Sequence, residues 1–158
     1  MTGVLKQINR SNGGMPKRAV SQPVMVDVEG VEGDRHLNPR YHGGQKKAVL
    51  MIAAEIVDDL AARGFPVYYG ALGENLTVFG LDPLGWRSGQ RYRIGEDVVI
   101  ELTTLRTPCG SLDVYGPEIK DELYGSPPKW AHGGFYARVI HPGLLVEGAP
   151  VSLESDQA

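Results

Sequence analysis

Glycine and proline cut this chain into short β-branched runs, and that punctuation restricts the possible folds more than any other feature. Gly3 to Asn9, Val24 to Val28, Ala48 to Ile52, Asn75 to Phe79, Arg91 to Ile94, Val98 to Thr104, Phe135 to Ile140 and Val151 to Leu153 all read as strands bounded by turn-forming residues. Ala53 to Arg63 has helical spacing, with Ile52, Ile56, Leu60 and Ala61 on one side and Gly64 as its stop. Pro117 to Leu123 reads as a shorter helix, opened by proline and followed by Gly125. With 21 glycines and 11 prolines between strands this short, the expectation is a mainly β chain. A closed or nearly closed β-barrel with a few short peripheral helices fits better than an open α/β sheet. No linker or composition break marks a second domain, and 158 residues suit one core, so residues 1–158 read as a single domain.

The only cysteine, Cys109, directly follows the strongest of these strands. Val98-Val99-Ile100-Glu101-Leu102-Thr103 is β-branched and apolar, and Pro108 cannot donate to a ladder, so pairing should end just before the thiol. Gly110 then permits a sharp turn. Arg106 stands three residues upstream, where a cation would favour thiolate over thiol. The competing reading is a small buried hydrophobe. One cysteine excludes an internal disulfide framework and a multi-cysteine zinc site. The first ten residues hold no signal-peptide core, and the longest apolar run, Ala48 to Ala54, is far too short to span a membrane. A reducing cytoplasm is the expected compartment.

A formal net charge of −3 argues against a general nucleic-acid binder. Acidic residues are absent from Met1 to Val26, Arg35 to Ala54, Pro83 to Gly95 and Leu102 to Leu112. Those windows hold Lys6, Arg10, Lys17, Arg18, Arg35, Arg40, Lys46, Lys47, Arg87, Arg91, Arg93 and Arg106. If part of this set converges, it creates a positive field suited to a small anion; otherwise these are independent solvated side chains. A brief recurrence adds to this. Tyr41-His42-Gly43-Gly44 precedes Lys46-Lys47-Ala48-Val49, and Ala131-His132-Gly133-Gly134 precedes Tyr136-Ala137-Arg138-Val139. Paired glycines can aim successive N–H groups at one anion, although most simply make turns. His36 is a third imidazole, and His141 in His141-Pro142-Gly143 reads as a turn residue.

Three chemistries compete for these residues. A cysteine hydrolase would pair Cys109 with His36, His42 or His132 as base. A His and Cys metal site lacks the usual paired ligand spacings. A thiol that ligates, or transfers something to, a bound anion uses Cys109, the basic windows and the glycine turns together.

Gly33-Asp34-Arg35-His36, His42-Gly43-Gly44 with Lys47-Ala48-Val49, Gly73-Glu74-Asn75-Leu76, Ile94-Gly95 before Val98-Val99-Ile100-Glu101, and Pro108-Cys109, in this order, resemble the MOSC domain. That module is named for the C-terminal part of molybdenum cofactor sulfurase, and the resemblance runs from about Val24 to Leu153. It implies a β-barrel with few peripheral helices and a role in molybdenum-cofactor chemistry. Members include sulfur carriers, whose matching cysteine is proposed to hold a persulfide, and reductases of N-hydroxylated compounds, in which it ligates molybdenum. Cys109 is the matching position for either role, since thiolate is both the nucleophile and a soft metal ligand. The resemblance makes Lys47, Arg106, Arg138, His42 and the Gly43-Gly44 amides the expected partners of the phosphate of molybdopterin. Asn75, beside Glu74, matches a family motif but would equally brace the barrel. The chain has no room for a pyridoxal-phosphate desulfurase domain. Expected partners are therefore a separate cysteine desulfurase, a molybdoenzyme or an electron donor, with no nucleic acid and no membrane. Sulfur carrier, cofactor-binding subunit and minimal reductase all remain open.

Overall fold

The computed structural model describes residues 2–35, 44–124 and 128–155. Its strands are β1 (Thr2–Arg10), β2 (Arg18–Ala19), β3 (Val24–Asp27), β4 (Gly30–Val31), β5 (Val49–Ala53), β6 (Leu76–Phe79), β7 (Arg91–Ile94), β8 (Val98–Leu105), β9 (Phe135–His141), β10 (Gly143–Leu145) and β11 (Pro150–Ser155). Helix α1 (Ala54–Ala62) lies between β5 and β6, and α2 (Ile119–Leu123) between β8 and β9. Short 3-10 turns occupy Gln45–Lys47, Pro83–Gly85 and Gly110–Tyr115.

The strands close in the order β11-β7-β8-β9-β5-β6-β1 and back to β11, giving the barrel expected from the strand pattern. Closure depends on β1, which pairs Leu5 with Val78 of β6 and Gly3 with Val151 of β11. The barrel therefore begins at the second residue, well upstream of Val24 where the family resemblance starts. Around the ring every pair is antiparallel except β5–β6, and a parallel pair needs a crossover, which here runs through α1. Strands β3, β4 and β10 form a separate three-stranded sheet in the order β10-β3-β4. Neither β2 nor β4 exceeds two residues, too short to show alternation in sequence.

Strand β5 explains how the molecule is layered. All five of its residues, Val49 to Ala53, are buried, so it shows no alternation of polarity. Val49, Met51 and Ala53 face the barrel interior with Leu5, Ile8, Ile100 and Phe135. Leu50 and Ile52 face outward into a second apolar cluster with Val57, Leu60, Leu72, Leu112, Ile119 and Leu123. Each large side chain buried in this way stabilises the fold by about 1.5–3 kcal/mol. Helix α1 buries Ala54, Val57 and Leu60, while Ala61 is exposed and Ile56 only partly covered. The buried stripe thus lies slightly around the helix from the side expected, with the spacing of a helix laid on the outer wall of β5.

The entry to β9 needs a glycine. Gly134 has φ +97°, and a Cβ there would stand 2.6 Å from Ile52 Cγ1 and 2.7 Å from Met51 O. Gly133 is also closely packed, against Leu123 O at 2.8 Å. The second His-Gly-Gly turn is thus a packing device between β5 and α2. Among the described residues no helix is long and apolar enough to cross a membrane.

Candidate functional site

The site forms where the second apolar cluster meets the barrel wall. Beyond Leu105 the chain leaves β8, and Arg106 N donates to Gly134 O at 2.9 Å, tying the end of β8 to the start of β9. Thr107 and Pro108 then lead to Cys109, which has extended backbone (φ −125°, ψ 173°) and precedes the Gly110–Tyr115 turn. Leu112 anchors that turn in the second cluster, and its N–H donates to Cys109 O at 3.1 Å. This leaves the thiol half-buried on the wall of a cavity of about 340 Å³. Polar lining comes from Lys17, Lys47, Asn75, Arg106, Ser111 and Tyr136, and apolar lining from Leu50, Leu72 and Val114 among others. The volume and the mixed lining suit a small organic ligand.

Cys109 is held toward its thiolate. Burial pushes the thiol up, but the Ser111 hydroxyl, the Ser111 N–H and then the Arg106 guanidinium outweigh burial and the opposing charge of Asp113. The net result is a pKa below that of an ordinary cysteine. Ser111→Ala should therefore move the pH midpoint of iodoacetamide alkylation upward, and further than any Arg106 substitution does. An unmoved midpoint would remove Ser111 from the account.

Arg106 is 6% exposed and bridges separate segments. Its Nη1 donates to Gly133 O at 3.2 Å, and its Nη2 to Leu72 O at 3.0 Å and Met15 Sδ at 3.8 Å. Among the described residues no carboxylate lies within ion-pair distance of it. Burial lowers its pKa, against the raising effects of Tyr136, Cys109 and Glu74, yet a guanidinium does not lose its proton in a protein. Glu74 is a poor counter-ion, because burial raises its pKa toward the neutral acid against hydrogen bonds from the backbone and Thr77. Glu74 Oε2 accepts from Gly70 N and Thr77 Oγ1, both at 3.0 Å, while Oε1 has no partner. The positive charge of Arg106 is left to face the cavity and the sulfur. Tyr136 keeps its phenolic proton, since burial and the nearby Cys109 raise its pKa against the pull of Arg106.

A buried polar brace supports the far wall. Asp34 accepts from Lys17 Nζ at 2.7 Å, Ser11 N at 2.9 Å and Asn75 Nδ2 at 3.0 Å. Asn75 also donates to Asn9 O at 3.2 Å and accepts from Leu50 N at 3.1 Å. Asn9 in turn donates to Glu74 O and Thr77 Oγ1, both at 3.1 Å. Breaking the Lys17–Asp34 pair would leave an uncompensated charge at side-chain exposures of 6% and 2%.

The structure brings four of the expected residues to one cavity: Lys47, Asn75, Arg106 and Cys109. Asn75 has the bracing role, its amide fully used by the barrel. His42 and Gly43, like His36, lie outside the described residues. Gly44 has φ +85° and open space where a Cβ would point, but does not line the cavity. Arg138 does not line it either. It sits on the outer barrel wall with Nε 3.6 Å from Glu101 Oε1, because Glu101 is directly across the β8–β9 ladder. His132 is not among the lining residues and hydrogen-bonds the Glu122 backbone, which removes it as a hydrolase base. Of the basic windows, Lys17, Lys47 and Arg106 converge. Arg91 and Arg93 are paired with Glu101 and Glu154 on the barrel exterior.

Sequence reasoning missed Ser111 and Tyr136, and named Lys17 only within the larger basic set. Ser111 carried a local signal, two residues beyond the thiol at the opening of a turn, where a hydroxyl and an N–H can both reach back. Nothing in the sequence set Lys17 apart from the other bases, because its partner Asp34 lies in another segment. Tyr136 occupies an outward position of β9, and only the fold shows that its ring borders a cavity.

A closed barrel with the thiol of Cys109 on the wall of a cavity that Lys17, Lys47 and Arg106 also line defines a small β-barrel domain with one candidate site. Residues 38–152 match the MOSC domain, and the chain belongs to the MOSC domain family. It is 33% identical over 146 residues to the uncharacterized protein YflK of Bacillus subtilis (strain 168), an alignment covering 90% of this chain and 63% of YflK. It is 29% identical over 138 residues to a protein of Gibberella moniliformis (strain M3125 / FGSC 7600) named reductase, covering 83% of this chain and 24% of that protein. The crystal structure of YiiM from Geobacillus stearothermophilus superposes with a TM-score of 0.74 at 25% identity, covering 98% of this chain and 76% of that one. The chain thus spans less than two thirds of the length of either of the two sequence relatives.

Proposed function

We propose that this chain binds the molybdenum cofactor, with Cys109 as thiolate ligand, and serves as the cofactor-binding part of a reductase. The observation that carries this reading is the buried, carboxylate-free charge of Arg106 beside an activated thiol on one cavity. A buried guanidinium needs an anion, and Cys109 alone supplies only one, when ionised. The donor set suits the group: soft sulfur for molybdenum, and Lys17, Lys47 and Arg106 for a phosphate.

When bound, the group would supply two-electron oxygen-atom chemistry at the metal. This chain's residues do the rest. Ser111 and Arg106 favour the Cys109 thiolate, Tyr136 offers a phenolic proton as donor to the cavity, and Leu50 and Leu72 limit water on the apolar side. Because the relative named reductase extends far beyond the matched part, an electron donor would be a separate partner or module. A sulfur-carrier role is the second reading, favoured by the half-open, activated thiol, and it would require a desulfurase donor and a molybdoenzyme acceptor. The cavity gives that reading less to explain, since a persulfide needs no phosphate-binding wall.

Protein purified from a host that makes the cofactor should contain stoichiometric molybdenum and pterin by plasma mass spectrometry and pterin fluorescence. Intact mass showing one extra sulfur and no metal would replace this reading with the carrier.

A further inference from the structure

We propose that anion binding in the cavity is coupled to proton uptake by Glu74, a coupling that rests on the cavity being an anion site: the anion is held best when Glu74 is protonated. Leu72, Gly73 and Asn75 line the cavity, whereas Glu74 among them is fully buried and turns back behind that wall to Gly70 and Thr77. Its Oε2 is satisfied there, but Oε1 is a buried oxygen without a partner. Such an oxygen is less costly in a neutral acid than in a carboxylate, which would lack both water and a paired cation. Among the described residues neither Glu74 nor Arg106 belongs to an ion pair. Each nevertheless senses the other. Burial is the largest influence on both, and against it Arg106 favours ionised Glu74 while Glu74 favours charged Arg106.

The other groups around Glu74 leave this balance to the two of them. Asn9 of β1 and Thr77 of β6 are uncharged. Lys17 and Asp34, reached through Asn75, form a pair with no net charge. Tyr115 donates its hydroxyl to Ala71 O at 2.6 Å and keeps its proton, since burial first, then Tyr68 and Glu74, raise its pKa. With the cavity empty, rising pH ionises Glu74, whose charge then offsets Arg106 from behind the wall. An anion on the cavity side of Arg106 opposes that second negative charge, so its arrival raises the pKa of Glu74 and draws a proton from solvent. Anion affinity is therefore full below the empty-cavity pKa of Glu74. It falls as pH rises through that value, by about tenfold per pH unit while one proton is taken up.

Isothermal titration with sulfate, across about pH 6 to 9 and in buffers of different ionisation enthalpy, tests this below the range where tyrosine titrates. The full chain carrying Cys109→Ser is used, so that the thiol exchanges no proton. It should take up as much as about one proton per sulfate as pH rises, and lose affinity accordingly. Adding Glu74→Gln should abolish that share of the uptake and preserve the low-pH affinity at high pH; any proton moved by another group is common to both chains. Difference infrared spectra of the chain that retains Glu74 should gain a protonated-carboxyl band when sulfate is added at the high-pH end, a readout that needs no substitution of Glu74. Equal proton uptake with and without Glu74→Gln, or no such band, overturns the coupling. Absence of sulfate binding at every pH in the chain that retains Glu74 would instead sink the reading of the cavity as an anion site.

Discussion

Replacing Cys109 by serine is expected to reduce molybdenum and pterin loading to background while shifting the melting temperature by no more than about 2 °C. The sulfur is half-buried on a cavity wall, so little packing is lost. Serine also suits the position before a helical turn, where its oxygen can accept from backbone N–H groups. What it cannot supply is a soft anion. Its hydroxyl stays protonated at neutral pH and is a hard ligand, so Ser111 and Arg106 are left aimed at a neutral oxygen. The pH dependence of stability gives a further check. With a folded pKa below the unfolded one, the thiolate contributes stability that is fully present above the unfolded pKa and is lost as pH falls through the folded pKa. The stability deficit of the serine variant should therefore widen as pH rises through that window. Calorimetric melting across pH, together with metal and pterin analysis, decides the matter. A large stability loss with normal loading would make Cys109 a packing residue.

Much of the barrel was legible because its strands are short and their ends are marked by residues that cannot continue a ladder. Gly95 marks the β7–β8 hairpin in sequence as in structure, whereas β8 ends at Leu105, three residues before the Pro108 that was expected to stop it. Other features required contacts between distant segments. Nothing in Thr2–Arg10 says that it closes the ring between β6 and β11, since strand pairing partners are set by the whole fold. The continuous burial of β5 reads as a strand, but its outer face becomes the floor of a second core only because α1, α2 and the Gly110–Tyr115 turn pack on it. For the site the division is similar. The proximity of Arg106 to Cys109 was legible from spacing, yet its main role, clamping carbonyls at Leu72 and Gly133, was not. The larger influence of Ser111 on the thiol depends on the turn that folds it back. Arg138 was misleading because alternation in β9 places it outward with Tyr136, but cross-strand register gives it Glu101 as a neighbour.

Substituting methionine for Arg106 should cost about 3 kcal/mol of stability, or roughly 6–12 °C in melting temperature, and should lower cofactor loading although Cys109 is intact. Two opposing effects set the size. Hydrogen bonds from a charged donor contribute about 1.5–3 kcal/mol each, and Arg106 makes two to carbonyls that would then be left in a buried setting. Against this, removing a guanidinium that is 6% exposed and has no carboxylate partner recovers part of its desolvation cost, and methionine refills the apolar volume. The bonds should prevail because Leu72 and Gly133 come from different loops, and releasing both frees the Leu72 wall of the cavity and the entry to β9 at once. The thiol pKa should rise as well, by less than in Ser111→Ala, following the order in which the two residues act on the sulfur. Arg106→Lys separates clamp from charge. An ammonium retains the field at Cys109 but has no planar fork to span both carbonyls, so stability should fall while the alkylation midpoint stays close to the original. A methionine variant as stable as the parent would refute the clamp, and a lysine variant whose thiol titrates like that of the methionine variant would show that the charge of Arg106 does not reach the sulfur.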